Sequence, residues 1–511
     1  MDPIDEKRSN YAEASPTDLD QGLIAHIRNA DLPTTLRRDV STLSIIGLGM
    51  SICNGWAAMS STIVIGLAQG GTVTILYGLI GIAIINLCVA LSIGEVASAY
   101  PSAGGQYIWS ALLAKTPRAR KVLSFVVGWV TVFEWLTVTA SVVIILAQVT
   151  FAIVQLLHPD FVIAPWQVYV VYLAVNIMSV TWNIFGLRKM PWIGKVFFYF
   201  SSAVFISVLV AVVAKAPSYQ SNTFVWGTYT NKIGWTSPFV VVSTGPVNPG
   251  YVYAGLDGAV HIAEEVLNPK KVIPLALLST VGMAFITGFA ISIALAYTIQ
   301  DLAAAASSEL PFLTIIVQAT QSNAAGVVLM VAFLFCLFVS ANSVHHATGR
   351  LIWSFAKDDA LPFSGRLKTI HPTLGVPVMP LIVSGVGVAA IGAVYVGSAA
   401  GFTSIIACSI ILGNVSYAIP AAQLLLRKRD MSQDRWLKLG WLGGVANVVV
   451  IVYTLFSTVM WLFPLPPKPS QQEMNYSIAV LGGMAVVAAL DWLFMARKRF
   501  VGPRYAEVLE Q

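Results

Sequence analysis

Charge is what this sequence has least of. Asp, Glu, Lys and Arg make up 11% of its 511 residues, against about 25% in an average soluble chain. By contrast 57% are hydrophobic, and the mean hydropathy is +0.75. A soluble globular class is thereby excluded and a polytopic membrane protein implied. No Gly-x-x-x-x-Gly-Lys-Ser/Thr phosphate loop occurs, so the chain shows no ATP motor. Its four cysteines, Cys53, Cys88, Cys336 and Cys408, lie in apolar runs without Cys-x-x-Cys or Cys/His spacing, which argues against a disulfide framework or a zinc site. No nucleophile–base pair or metal cluster is legible, so neither an enzyme nor a cofactor is expected. The polar start MDPIDEKRSN lacks the short apolar core and cleavage site of a signal peptide, leaving insertion to the first span. A net charge of +6 does not indicate nucleic acid, because the basic residues are scattered over short loops.

What is present is a series of apolar runs. At roughly 20 residues per crossing, they place twelve spans near 43–69, 72–98, 123–156, 166–186, 193–214, 237–266, 273–299, 324–356, 377–397, 402–426, 439–463 and 476–496. Leu23–Ala30 in the polar N-terminal tail reads as a short amphipathic helix. With twelve spans, 27 of the 30 Lys and Arg fall on one side, leaving only Lys215, Lys232 and Lys468 on the other. The positive-inside bias then puts both termini in the cytoplasm. The sequon Asn475-Tyr476-Ser477 falls on the outer side directly against the last span, and reads as a chance match.

One run is broken. Gly245–Glu265, GPVNPGYVYAGLDGAVHIAEE, interrupts the sixth span with two prolines and three glycines after Gly245, and it carries Asp257, His261, Glu264 and Glu265. A membrane helix that gives up backbone hydrogen bonds and adds ionisable groups is tolerated where it lines a cavity or is buried in protein. Transporters built from inverted repeats place such breaks at corresponding positions of the two halves. A five-plus-five repeat therefore predicts a break in span one, where SIIGLGMSICNGW gathers small and polar residues. Close helix packing is the alternative reading of that stretch.

Four motifs extend the pattern: GLGMSICNGW in span one, EVASAYPSAGGQY (95–107) after span two, GLDGAVHIAEEVLNPKKVIPLAL in and after span six, and GRLIWSFAKDDALPFSGRLKTIHPTLGVPV (349–378) after span eight. Together they resemble the amino acid–polyamine–organocation superfamily of permeases, and within it the fungal amino acid, choline and γ-aminobutyrate group. The resemblance implies an all-α membrane protein with a cytoplasmic tail (1–42), a ten-helix core in two inverted repeats (43–426), two peripheral helices (427–496) and a C-terminal tail (497–511). It implies a secondary transporter of a small amine-containing solute, working by alternating access and driven by protons. A polyamine or organocation exchanger is the alternative, and a non-transporting nutrient sensor a further one. The plasma membrane is preferred to the vacuolar one.

In the family the unwound segments hold the substrate's polar head, and the matching residues here are Ser51, Cys53, Asn54, Gly55, Ala254 and Gly255. An aromatic in span six acts as a lid in relatives, for which Tyr251 and Tyr253 are candidates; either can equally be a packing tyrosine. Asp257 can hold an ammonium group or cap the second half-helix. Glu134 sits about 18 Å into span three, near the midplane, where a carboxyl binds a cation, relays a proton or persists as a buried neutral acid. Glu264 and Glu265, nearer the cytoplasmic surface, are expected to pair with Lys270, Lys271 or the Arg350 region and to form a gate. Many proton-coupled relatives place a lysine in span five, whereas this chain has Ser201 and Ser202, so the coupling ion stays open. Ser340, Asn342 and Ser343 are candidates for a cation site with span one, and of His345 and His346 at most one is expected to face inward.

Overall fold

A computed structural model describes residues 42–186, 190–397, 401–464, 466–470 and 474–503. The N-terminal tail with its Leu23–Ala30 segment, and the tail from residue 504 on, lie outside the described residues. Eleven helices there are long and apolar enough to cross a membrane. They are span one (Thr42–Ala68), two (Gly71–Ala99), three (Pro117–Leu157), four (Pro165–Phe185), five (Gly194–Lys215), seven (Pro269–Thr298), eight (Asn323–Lys357), nine (Val378–Gly397), ten (Ser404–Leu426), eleven (Trp441–Met460) and twelve (Ser477–Arg499). The missing sixth is the broken run. It forms two short helices, Pro238–Thr244 and Val247–Tyr251, followed by a 3₁₀ stretch, Leu256–Glu265. Hydrocarbon offers no hydrogen-bond partners, so each crossing satisfies its backbone as helix, and span six departs from this only inside the bundle.

Several boundaries differ from the sequence reading, span seven beginning at Pro269 rather than near residue 273 among them. Span three begins at Pro117 rather than near residue 123, because Thr116 Oγ1 accepts from Ala119 N–H at 3.2 Å and Pro117 occupies the first turn. Span twelve runs past residue 496 through a π turn, Trp492–Ala496, to Arg499. Asn475, the sequon residue, donates to Trp461 O and Phe463 O at 2.9 and 3.0 Å and so is tied into the protein.

The packing repeats. Spans two and seven, three and eight, and four and nine each pack directly on one another. Exchanging each span with the one five later also turns several other contacts into contacts that exist: one–five into six–ten, one–seven into six–two, three–ten into eight–five, and four–eight into nine–three. Five crossings is an odd number, so corresponding spans run in opposite directions, as in an inverted repeat. Spans eleven and twelve stand outside this scheme. The most apolar window of span twelve is 11% buried, against 83% for span one.

The EVASAYPSAGGQY motif acts as a cradle. Glu95, 1% exposed, binds Arg429 and Arg435 and accepts from Leu439 N–H at 3.2 Å. Ser98 Oγ accepts from Trp436 N–H and Leu437 N–H, and Tyr100 OH from Ser432 N–H. The loop between spans ten and eleven is thus fastened to span two. In the same loop Asp434 pairs with Lys270, which holds its carboxyl below the usual carboxylate range.

Candidate functional site

The two breaks meet. Span one loses its regular helix at Cys53–Asn54 and resumes at Gly55, and the Cys53 thiol donates to Ala254 O of span six at 3.6 Å. Gly255 adopts φ +77°, a left-handed conformation that costs other residues about 1–2 kcal/mol. A Cβ there would also lie 3.0 Å from Ile52. Asn54 donates to Ser201 of span five at 3.0 Å, joined by Trp56 Nε1 at 3.3 Å. Ser201 thus occupies, against the break, the region where a lysine was sought. Ser51 donates to Ser343 of span eight at 2.7 Å. Asn54 Oδ1 and the Tyr253 hydroxyl are buried without a hydrogen-bond partner among the described residues.

Below the break lies a fully buried polar chain. Asp257 Oδ2 accepts from Gln106 Nε2 at 2.5 Å and from Trp135 Nε1 at 3.4 Å, and lies 2.8 Å from His261 Nε2. Its Oδ1 is 2.9 Å from Tyr417 OH, and the same hydroxyl is 3.1 Å from Glu134 Oε1. Glu134 Oε2 is 3.2 Å from Ser416 Oγ. Span ten can approach this closely because position 413 is glycine: a Cβ there would sit 2.7 Å from Glu134 Oε1. Gly255, not Asp257, occupies the N-cap of the 3₁₀ stretch, and no side chain caps it. Asp257 therefore serves the polar chain and not the cap.

Counting protons sharpens the picture. Tyr417 OH stands between two carboxyls, and Ser416 Oγ between Glu134 and Gly413 O, 2.8 Å away. Each hydroxyl has one proton to donate. With both carboxyls ionised, two of the four contacts would set lone pairs against each other. A proton on Glu134 makes one of them a hydrogen bond donated by the acid. On the far side, His261 Nδ1 lies 2.9 Å from Ala103 O, which only accepts, so Nδ1 carries hydrogen. The Nε2···Oδ2 contact then holds a further proton between imidazole and carboxylate. The chain Glu134–Tyr417–Asp257–His261 thus has room for more protons than its hydroxyls supply.

The other expected residues are placed as follows. Tyr251 OH bonds Ser141 of span three at 2.7 Å. Asn342 turns to span four, where Asn183 donates to its carbonyl at 3.1 Å, so of the span-eight trio it is Ser343 that touches span one. Ser340 is buried without a hydrogen-bond partner for its hydroxyl. Glu265 lies 2.8 Å from Arg350 Nε and Glu264 3.1 Å from Lys357 Nζ, both on span eight. The expectation that at most one of His345 and His346 faces inward is corrected: both are buried, because the 340–356 part of span eight is buried among its neighbours. His345 Nδ1 meets Ser384 at 3.2 Å. Gln106, Trp135, Ser416 and Tyr417 join the site from outside the sequence candidates, while His261, named with the broken run, sits beside Asp257 rather than with Glu264 and Glu265. His261 alone carried a sequence signal, its i, i+4 spacing from Asp257.

The model of a family described as amino acid permease matches residues 40–485. A choline transporter of Saccharomyces cerevisiae is 33% identical over 475 residues, covering 92% of this chain and 84% of that protein. The 7-keto 8-aminopelargonic acid transporter of the same yeast is 26% identical, over 86% of this chain and 88% of its own. An amino-acid permease of Arabidopsis thaliana is 24% identical, over 95% and 96%.

Proposed function

Starting from the fact that the chain belongs to the amino acid permease family, and is an integral membrane transporter of small amine-containing solutes, we propose that it is a proton-coupled symporter. The observation that carries this reading is the buried chain Glu134–Tyr417–Asp257–His261, which needs protons beyond those its hydroxyls supply. Loading of that chain is coupled to occupancy of the breaks directly above it. There Ser51, Cys53, Asn54, Gly55, Ala254 and Gly255 receive the polar head of the solute. Backbone N–H groups at a half-helix start favour a carboxylate, and Asn54 Oδ1 offers an unfilled acceptor to an ammonium group. Tyr253, with an unpaired hydroxyl, closes over the solute, while Tyr251 is tied to Ser141.

Glu264–Lys357 and Glu265–Arg350 form the inner gate, which separates when span six moves away from span eight. With the basic loops inside, both termini are cytoplasmic, and the plasma membrane is the proposed location. Choline is the first solute to test, given the printed function of the 33% identical relative, followed by amino acids and γ-aminobutyrate. Proteoliposomes loaded at alkaline pH and diluted into acidic buffer should accumulate the labelled solute above its equilibrium level. Glu134→Gln should abolish accumulation while leaving exchange of solute without a gradient. Equal uptake with and without the pH gradient would overturn proton coupling.

A further inference from the structure

Away from the transport site, an apolar groove of about 410 Å³ runs between spans three, ten and twelve. Phe125, Trp129, Phe133, Leu412, Met484 and Trp492 form its walls, and Ala485 and Ala488 line it with small side chains. It opens sideways: Val122 and Val126 on its rim are 38% and 45% exposed. From Val122 to Phe133 it follows span three for about 16 Å, roughly one leaflet of a hydrocarbon core of about 30 Å.

One end of this groove is basic. Lys121 Nζ stands 5.8 Å over the Trp492 ring and donates to Arg497 O at 2.9 Å, bridging spans three and twelve at the mouth. Arg118, Arg497 and Lys498 are exposed beside it, whereas Arg499 is occupied with Asp359 O and Leu361 O. The neighbouring acid, Asp491, is buried, takes a hydrogen bond from Trp129 Nε1 at 3.3 Å and does not line the groove. An apolar slot of leaflet length that ends in cations matches an amphiphile with an anionic head. A sterol would leave those cations unmatched.

We propose that this groove binds one anionic phospholipid of the leaflet on the basic side, with an acyl chain in the slot and its phosphate at Lys121, Arg497 and Lys498. Surface cations contribute about fivefold each to attraction of an anionic lipid. The test is native mass spectrometry of the full-length protein released from nanodiscs of equal parts phosphatidylserine and phosphatidylcholine with identical chains. One phosphatidylserine should stay bound in preference. The double variant Lys121→Gln/Lys498→Gln should weaken its retention about 25-fold, and Ala488→Trp, which fills the slot, should abolish it. Melting of each variant in phosphatidylcholine nanodiscs controls for folding, and Ala485→Phe probes the same slot should Ala488→Trp not fold. Equal retention of the two lipids, unchanged phosphatidylserine retention in the lysine pair, or its displacement by ergosterol would each overturn the proposal.

Discussion

Spans one and six hold equivalent places in the two repeats, yet their breaks are chemically unlike. Span one is interrupted only briefly, at Cys53–Asn54 and again at Thr62, and its side chains there are neutral. In span six the chain fails to resume an α-helix at all and continues as a 3₁₀ stretch carrying Asp257, His261, Glu264 and Glu265. The repeat thus supplies two open backbones but places carboxyl and imidazole side chains on only one of the two breaks. Of the four ionisable groups on span six, Asp257 and His261 are buried while Glu264 and Glu265 are partly exposed, and we propose a division of labour between solute contact on span one and energy coupling on span six.

The comparison is most severely tested at Asp257. Asp257→Asn leaves His261 buried beside a neutral amide and should cost about 3–5 kcal/mol, as breaking a buried pair does. A large fall in melting temperature together with loss of uptake is expected. If Asp257→Asn melts and transports like the parent, span six has no special charge role. Next in size is Tyr417→Phe, which removes the hydroxyl shared by two carboxyls. An unpaired buried acceptor costs about 1–3 kcal/mol, and the pH dependence of uptake should shift while exchange persists. The same variant should alter the carboxylic acid C=O band assigned to Glu134 by infrared difference spectroscopy with Glu134→Gln. No such band in the parent would remove the proton from Glu134.

Smaller effects are expected on the span-one side. Asn54→Ala deletes one hydrogen bond to Ser201, worth about 1 kcal/mol. It should raise KM for solute without touching the pH profile; a changed pH profile would erase the proposed division of labour. The smallest stability change belongs to the gate, since Lys357 and Glu264 side chains are 31% and 24% exposed and solvent screening limits such pairs to about 1 kcal/mol. Glu264→Gln should leave melting nearly unchanged but increase labelling of a cysteine placed at Ala263 from the basic side.

Much of this molecule can be read along the chain, and the reasons are local. Whether a segment can cross a bilayer depends on its own apolar length, and whether it can stay helical depends on its own prolines and glycines. Twelve crossings and the break in span six follow from those properties, and the break in span one follows from the repeat. Glu134 was legible because a carboxylate deep in an apolar run is costly wherever it packs. Tyr417 and Trp135 were not, since an aromatic in an apolar run looks the same whether it packs or donates. Gln106, which opens the short helix Gln106–Leu112 after span two, reaches the site from a segment that no periodicity connects to span six.

What sequence alone determined, then, is the class of protein, the crossings and the presence of buried charge that must be compensated. Only the tertiary structure decided how: it brought Gln106, Trp135, Tyr417 and Ser416 from three separate segments onto two carboxyls, turned Asn342 toward span four, and paired Glu264 and Glu265 with span eight. The physical reason is that apolar length and backbone breaking are properties of consecutive residues, whereas a hydrogen-bond partner is chosen by how helices distant in sequence pack. The Gly413 contact shows this most directly, because the missing Cβ on span ten is what admits the carboxyl of span three.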